Sequence, residues 1–105
     1  MICISINHKN SITEMRERFA LSDEEKEQFF RMAGAQGLDG CVLLMTCNRC
    51  EIYISGSNEI YHAVEGFFQK QKGITREEFW KYAMRYEKKA AVKHLYQVVC
   101  GLESA

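Results

Sequence analysis

The sequence predicts an α+β domain in which a four-stranded antiparallel sheet is covered by helices on one face. Short apolar or alternating runs bounded by glycine predict strands, and apolar residues spaced three and four apart predict helices. The predicted order is β-α-β-β-α-β, followed by an extra C-terminal helix. This order is typical of the ferredoxin-like arrangement.

The first predicted strand lies at the N-terminus. Its apolar residues Ile2, Ile4 and Ile6 alternate with Cys3 and Ser5, a period of two that is typical of a half-buried strand. The turn-prone polar residues that follow end this strand.

Two helices are predicted next. Thr13 can cap a short helical turn, and the capping box Ser22-x-x-Glu25 opens a longer helix. Gly34 or Gly37 is expected to end the longer helix.

The second and third strands flank a polar tetrapeptide. The run 41–45 and the run 52–55 are apolar or alternating, and Gly40 and Gly56 bound them. The segment from 46 to 49 is therefore predicted to connect the two strands. Side chains at such a connection are held by the sheet and can still contact a ligand.

The second half of the chain predicts two helices around a fourth strand. Asn58 caps a helix that Gly73 ends, and Thr75-x-x-Glu78 predicts a single further turn. The alternation over 79–86 predicts the fourth strand. The last helix, over 87–100, has the predicted apolar stripe Val92, Leu95, Tyr96 and Val99. His94 lies off this stripe, which is typical of a surface or capping histidine.

Length and composition indicate one ordinary globular domain. The 105 residues suffice for one core but not for an additional nucleotide-binding domain. The chain has no apolar run long enough to span a membrane, no secretory signal and an odd number of cysteines, so we expect a cytoplasmic protein with free thiols.

Charge is unevenly distributed, although the net charge is zero. Residues 70–105 carry 8 Lys/Arg against 4 Asp/Glu, and residues 1–69 carry 6 against 10. A basic flank is compatible with a phosphate backbone but is more often a solvated face.

Cys47 is the candidate nucleophile. A thiolate is the reactive form of cysteine, and the guanidinium of Arg49 two residues away can lower a thiol pKa and hold an anionic group. A lone loop cysteine is nevertheless more often inert, and Arg49 in a loop can simply form an exposed ion pair with Glu51.

Three segments resemble glutamyl-tRNA reductase, in the order expected for that family. The segments are Thr46-Cys47-Asn48-Arg49-x-Glu51-Ile52-Tyr53, Asn7-His8-Lys9 followed by Met15-Arg16-Glu17-Arg18, and His94-Leu95-Tyr96-x-Val98-x-x-Gly101-Leu102-Glu103-Ser104. The resemblance covers nearly the whole chain and implies the same ferredoxin-like fold. Cys50 departs from the family pattern, which usually has Thr there.

The resemblance implies a reaction and its residues. Cys47 would attack the ester that joins glutamate to tRNA, and NADPH would reduce the resulting thioester to glutamate-1-semialdehyde for tetrapyrrole (porphyrin) biosynthesis. His94 would act as general acid or orient the thiol. Substrate contacts are implied for Thr46, Asn48, Arg49 and Ser104.

The resemblance also implies that residues 1–105 are the N-terminal catalytic, substrate-binding domain of a longer protein. The NADPH-binding and dimerisation domains would lie elsewhere, since the chain has no Gly-x-Gly-x-x-Gly segment. The intact enzyme is expected to be a homodimer that binds glutamyl-tRNA and contacts the next enzyme of the pathway, glutamate-1-semialdehyde aminomutase.

Two other functions remain open. Cys47-x-x-Cys50 is compatible with a dithiol redox protein, although thioredoxin-like pairs open a helix rather than a strand. A small RNA-binding domain would need exposed aromatic residues on central strands, whereas Trp80, Tyr82 and Tyr86 are expected in the core. No metal site is predicted, because Cys100 and His94 add no recognised zinc spacing.

Overall fold

The computed structural model describes residues 1–7, 13–37, 39–46, 49–56, 59–87 and 89–99. Within these residues the chain forms four strands and five helices. They are β1 (Ile2–Asn7), α1 (Thr13–Phe19), α2 (Asp23–Ala35), β2 (Asp39–Thr46), β3 (Arg49–Ser55), α3 (Glu59–Lys72), α4 (Arg76–Tyr82), β4 (Met84–Glu87) and α5 (Lys89–Val99). None of the described helices is long and apolar enough to cross a bilayer.

The four strands form one sheet in the order β2-β3-β1-β4, and every neighbouring pair is antiparallel. The two central strands are therefore β1 and β3, with Ile4 opposite Ile52 and Ser5 opposite Glu51. This order and direction confirm the predicted ferredoxin-like α+β fold.

One face of the sheet packs against α1, α2, α3 and α4. Because side chains alternate along a strand, β1 and β3 each send every second residue into this core. At its centre Phe19 lies against Phe68 and Phe79, with ring centroids 5.7 and 5.5 Å away. This aromatic cluster joins three helices and is the main apolar core of the described structure.

The opposite face of the sheet is covered by α5. A smaller buried cluster forms there from Cys3, Tyr53 and Ala91, with Leu44, Tyr86 and Leu95 partly buried against it. The same face also carries buried polar residues, which form the candidate site described below.

The capping box predicted for α2 and the glycines predicted to end α2 and α3 are present, whereas Asn58, the predicted cap of α3, lies outside the described residues. Ser22 and Glu25 form the reciprocal capping box, with both hydrogen bonds between 2.9 and 3.2 Å. Gly37, with φ 72°, follows the end of α2, and Gly73, with φ 66°, follows the end of α3. Positive φ at these positions favours glycine because it has no Cβ.

The strand predicted over 79–86 is wrong in its first half. Residues 76–82 form α4, and β4 begins only at Met84. The Thr75 side chain accepts a hydrogen bond from the Glu78 N–H, and this N-cap starts two helical turns rather than the single turn predicted. Ala83 then returns the backbone to extended angles, φ −95° and ψ 140°. The spacing of the aromatic residues fits both a helix and a strand. The Thr75 N-cap therefore determines that residues 76–82 form a helix.

The face that α5 buries also differs from the prediction. Ala91 and His94 are buried, whereas Val92 and Tyr96 are 53% and 67% exposed. The interpretation of His94 as a surface residue was therefore wrong. The His94 imidazole contacts Glu51 and Tyr86 on the second sheet face. These contacts, rather than the apolar residues of the helix, determine which side of α5 is buried.

Phe19→Ala is expected to destabilise the chain by about 3–5 kcal/mol, because it empties the centre of the aromatic cluster. The matched control is Phe30→Ala on α2, where the ring is 45% exposed, and we expect about 1 kcal/mol or less. Urea unfolding followed by circular dichroism gives both values. Equal losses in the two variants would contradict this account of the core.

Candidate functional site

The candidate site lies on the α5-covered face, towards the ends of β2 and β3 that residues 47 and 48 join. In the sheet register Thr46 is opposite Arg49, and Arg49 is also opposite Asn7. Three strands therefore bring these positions side by side. Cys47, Asn48 and Ser104 lie outside the described residues, so their predicted roles remain predictions.

Thr46 and Arg49 share the α5-covered face. The preceding residue, Met45, packs against the main core, so alternation directs Thr46 to the opposite side. Thr46 is exposed, whereas Arg49 is buried. Arg49 does pair with Glu51, with Nη1 3.4 Å from Oε2, but the pair lies inside the domain rather than at a loop surface.

Glu51 is the centre of the site. Its side chain is fully buried in the middle of β3. The hydroxyl of Ser5 donates to Oε2 at 2.5 Å, and the hydroxyl of Tyr53 donates to Oε1 at 3.0 Å. The Nε2 atom of His94 lies 2.6 Å from Oε2. Residues of β1, β3 and α5 thus converge on one carboxylate.

Glu51 is ionised in this environment. Burial, the largest single influence, raises the pKa of Glu51, but the hydrogen bonds from Ser5 and His94 and the positive charges of His94 and Arg49 together lower it below its ordinary value. A carboxylate has no hydrogen to donate, so the short contact requires His94 Nε2–H to be the donor. Nδ1 is then the ring nitrogen that does not contact Glu51.

The imidazole of His94 is held from a second direction by Tyr86. The two rings are stacked, with centroids 4.4 Å apart and planes 11° apart. Tyr86 belongs to β4 and lies opposite Cys3 of β1 in the register. His94 is therefore fixed both by its hydrogen bond to Glu51 and by an aromatic face. A histidine with a fixed orientation is suited to acid–base chemistry.

Cys50 lies on the other side of the sheet. Its Sγ is 3.2 Å from Met45 Sδ and 3.6 Å from the carbonyl oxygen of Phe19, within the main core. Burial raises the pKa of Cys50 to about 12. A buried thiol with this pKa behaves as a small apolar side chain, which agrees with its interpretation as a substitute for Thr.

Cys3 is the second thiol near the site. Burial and the negative charge of Glu51 raise the pKa of Cys3 to about 12. The Cys3 sulfur, a carboxylate oxygen of Glu51 and a ring nitrogen of His94 all lie within 4.8 Å of one another. Among the described residues, these three side chains are the group that could hold a metal ion.

Five buried or partly buried members of the site are not predicted by the sequence pattern: Cys3, Ser5, Glu51 as the central acceptor, Tyr53 and Tyr86. No local signal indicated their burial, because a charged residue between two apolar ones, such as Glu51 between Cys50 and Ile52, is the ordinary pattern of a strand with one solvated face. Alternation alone places Glu51 and Tyr53 on one face. The contacts of Glu51 with Ser5 and His94 could not be predicted without the strand order and the position of α5.

Glu51→Gln is expected to destabilise the chain by about 3–5 kcal/mol at neutral pH, because it leaves the buried Arg49 and His94 without their anion. The pKa of Glu51 is lowered on folding, so its contribution is present above the ordinary value of 4.5 and is lost as the pH falls through the lower folded pKa. The difference between wild type and variant should therefore shrink in acid.

The measurement is urea unfolding at several pH values from neutral to acid. Glu24→Gln on the exposed surface of α2 is the matched control, and it should change the free energy of unfolding by about 0.5 kcal/mol or less. A Glu51→Gln deficit that stays constant or grows in acid would argue against an ionised Glu51.

Comparison with known proteins agrees with this architecture. A family model described as the N-terminal domain of glutamyl-tRNA(Glu) reductase matches residues 4–105. The chain is 37% identical over 107 residues to glutamyl-tRNA reductase of Akkermansia muciniphila, covering 99% of this chain and 31% of that protein. It is 32% identical over 108 residues to the enzyme of Paenibacillus macerans, covering 99% of this chain and 24% of that protein.

A solved structure gives the same result. Glutamyl-tRNA reductase from Methanopyrus kandleri superimposes with a TM-score of 0.73 at 28% identity, covering 98% of this chain and 23% of that one. The chain thus spans about a quarter to a third of the length of these relatives. Because the family model matches nearly every residue, the chain belongs to the glutamyl-tRNA reductase N-terminal domain family.

Proposed function

We propose that this chain is the catalytic, substrate-binding domain of an NADPH-dependent glutamyl-tRNA reductase, in which Cys47 forms a thioester with glutamate. The observation that carries the proposal is the buried Glu51–His94 pair, joined through Arg49 to the strand ends that flank Cys47. A fixed imidazole can act as general acid or base in acyl transfer to a thiol, and a guanidinium on the same face can hold a carboxylate of the substrate.

In the first half-reaction the Cys47 thiolate attacks the ester carbonyl of glutamyl-tRNA. A carbon–sulfur bond forms, the ester carbon–oxygen bond breaks, and the tRNA hydroxyl leaves with a proton. His94 supplies that proton or orients the Cys47 thiol before attack. The hydrogen bond from Nε2 to Glu51 supports this role, because it fixes the ring so that Nδ1 carries out the transfer.

Arg49 holds a carboxylate of the bound glutamate. It follows Cys47 by two residues, and its planar guanidinium can contact anions along more than one edge. Its ion pair with Glu51 supports the proposal, since a buried, oriented guanidinium loses little freedom when the substrate binds. Thr46, Asn48 and Ser104 complete the substrate contacts.

The second half-reaction reduces the thioester to glutamate-1-semialdehyde. NADPH supplies the hydride when it is bound by a separate domain of the intact enzyme, and Cys47 leaves the substrate as a thiolate. In this proposal the enzyme is a cytoplasmic homodimer that serves tetrapyrrole biosynthesis and delivers its product to the aminomutase. These parts rest on the family resemblance.

Neither alternative function is favoured by the described residues. The Cys50 thiol is buried in the main core and burial raises its pKa to about 12, so it is poorly suited to thiol–disulfide exchange. The sheet face that small RNA-binding domains of this fold present to bases is covered here by α5, with Tyr86 stacked on His94.

Incubating the 105-residue chain with glutamyl-tRNA should add one glutamyl group to the protein, as read by intact mass. The adduct should be absent in Cys47→Ser, because a hydroxyl without a strong base is a far poorer nucleophile. Cys50→Thr is the matched control and should retain the adduct, because Cys50 lies in the core on the opposite face. Equal loss in both variants would support the dithiol function instead.

His94→Asn should slow acylation of Cys47 by about 10²-fold or more, the scale of a lost general acid or base. His62→Asn is the control, because this histidine lies on the surface of α3 with a side chain that is 72% exposed. Rates come from quenched time points measured by mass spectrometry, and circular dichroism checks folding. A folded His94→Asn variant with the wild-type rate would remove His94 from the mechanism.

A further inference from the structure

The buried cluster on the α5-covered face contains the three donor types that bind zinc in proteins. Cys3 offers sulfur, His94 offers nitrogen and Glu51 offers oxygen, and the three atoms lie within 4.8 Å of one another. All three side chains are buried. In a tetrahedral zinc site the donors lie about 3.3–3.6 Å apart, so a separation of 4.8 Å has to close by about 1.2–1.5 Å. If His94 Nε2 and Glu51 Oε2, now 2.6 Å apart, are both ligands, they have to separate by about 0.7 Å.

We propose that Cys3, Glu51 and His94 form a binding site for a divalent cation of the zinc type, and that metal bound there prevents His94 from taking part in acylation. The second half of this statement rests on the proposed function. The first half depends only on the three donors.

A bound dication would change the protonation of Cys3. Without metal, the Cys3 thiol lies beside the Glu51 carboxylate in a buried environment, and both effects disfavour the thiolate. A dication between the two groups reverses this, because a thiol that coordinates zinc is deprotonated. Binding therefore forms a sulfur–metal bond, breaks the Cys3 S–H bond and releases one proton, with no change in oxidation state. If Nε2 is the ligand, its hydrogen moves to Nδ1 or leaves.

Other side chains that face the cluster decide how strongly the metal binds. Ser5 and Tyr53 already hydrogen-bond the Glu51 carboxylate, so they can orient it towards a metal as outer partners. Arg49 acts in the opposite direction, because its guanidinium lies 3.4 Å from the same carboxylate and repels a cation. Arg49 and the metal therefore compete for Glu51, and occupation of the site weakens the ion pair that orients Arg49.

The test uses Co²⁺ as a probe on the 105-residue chain. Wild type should bind one equivalent and show a thiolate-to-cobalt charge-transfer band with the visible bands of tetrahedral cobalt, and Zn²⁺ should displace it. Cys3→Ser should lose the charge-transfer band and bind about 100-fold more weakly or worse, since even outer partners of a metal contribute 10–100-fold. Arg49→Gln should bind Co²⁺ more tightly than wild type.

Cys41→Ser is the matched control, because the Cys41 thiol is partly buried against the main core on the other face of the sheet. It should keep the wild-type spectrum. Circular dichroism confirms folding of each variant, and Cys3→Ala provides a second apolar replacement at the same position. Zn²⁺ should also slow glutamyl transfer to Cys47 in wild type more than in Cys3→Ser.

Absence of a cobalt spectrum in folded wild type would overturn the proposal. A spectrum that survives both Cys3 variants and disappears in Cys47→Ser would also overturn it, by placing the metal on the nucleophile. The cobalt spectrum is recorded without glutamyl-tRNA. A chain that binds cobalt through Cys3 but never acylates would thus reject the proposed catalytic function while keeping the metal site.

Discussion

The fully buried carboxylate of Glu51 is the group on which the arrangement of the α5-covered face depends. An isolated carboxylate in a protein interior costs several kcal/mol, so it must be paired and hydrogen-bonded wherever it occurs. Ser5, Tyr53 and His94 supply the hydrogen bonds, and Arg49 supplies a charge. The four partners come from β1, β3 and α5, so the need to satisfy one charge fixes how these elements meet.

The position of helix α5 depends largely on its contact with this carboxylate. Its apolar contribution to the second cluster is small: Ala91 is buried and Leu95 is partly buried, while Val92 and Tyr96 remain exposed. The contact of His94 with Glu51 and its stack on Tyr86 therefore contribute much of what specifies the position of this helix. The residue proposed for proton transfer is therefore also a residue that positions the helix.

Local patterns predicted most of the fold. The alternation over β1 and β3, the capping box at Ser22 and the glycines after α2 and α3 act within a few residues of each other, and each appears in the structure. The spacing of aromatic residues over 79–86 did not discriminate, because it satisfies a helix and a strand equally. The Thr75 N-cap starts a helix there. Glu78 of this helix also pairs with Arg18 of α1, with N–O distances of 2.7 and 3.1 Å.

The site was less predictable, because its partners are distant in sequence. The segment with Arg49, Glu51 and Tyr53 was visible as a motif, yet Ser5 lies 46 positions from Glu51 and His94 lies 43. Only the strand order and antiparallel register bring them together. The buried face of α5 could not be deduced either, since it follows polar groups on the sheet rather than the apolar residues of the helix.

The same strand carries both the core and the site. Along β3, Cys50, Ile52 and Ile54 face the aromatic core, while Arg49, Glu51 and Tyr53 face α5. A shift of one residue in register would exchange the two faces and place the Glu51 carboxylate among phenylalanine rings. Such a slip loses both the apolar burial on one face and the hydrogen bonds on the other. The apolar residues of β3 therefore hold the register that aligns Arg49 and Glu51 with His94, and the precision of the site is a property of the core beneath it.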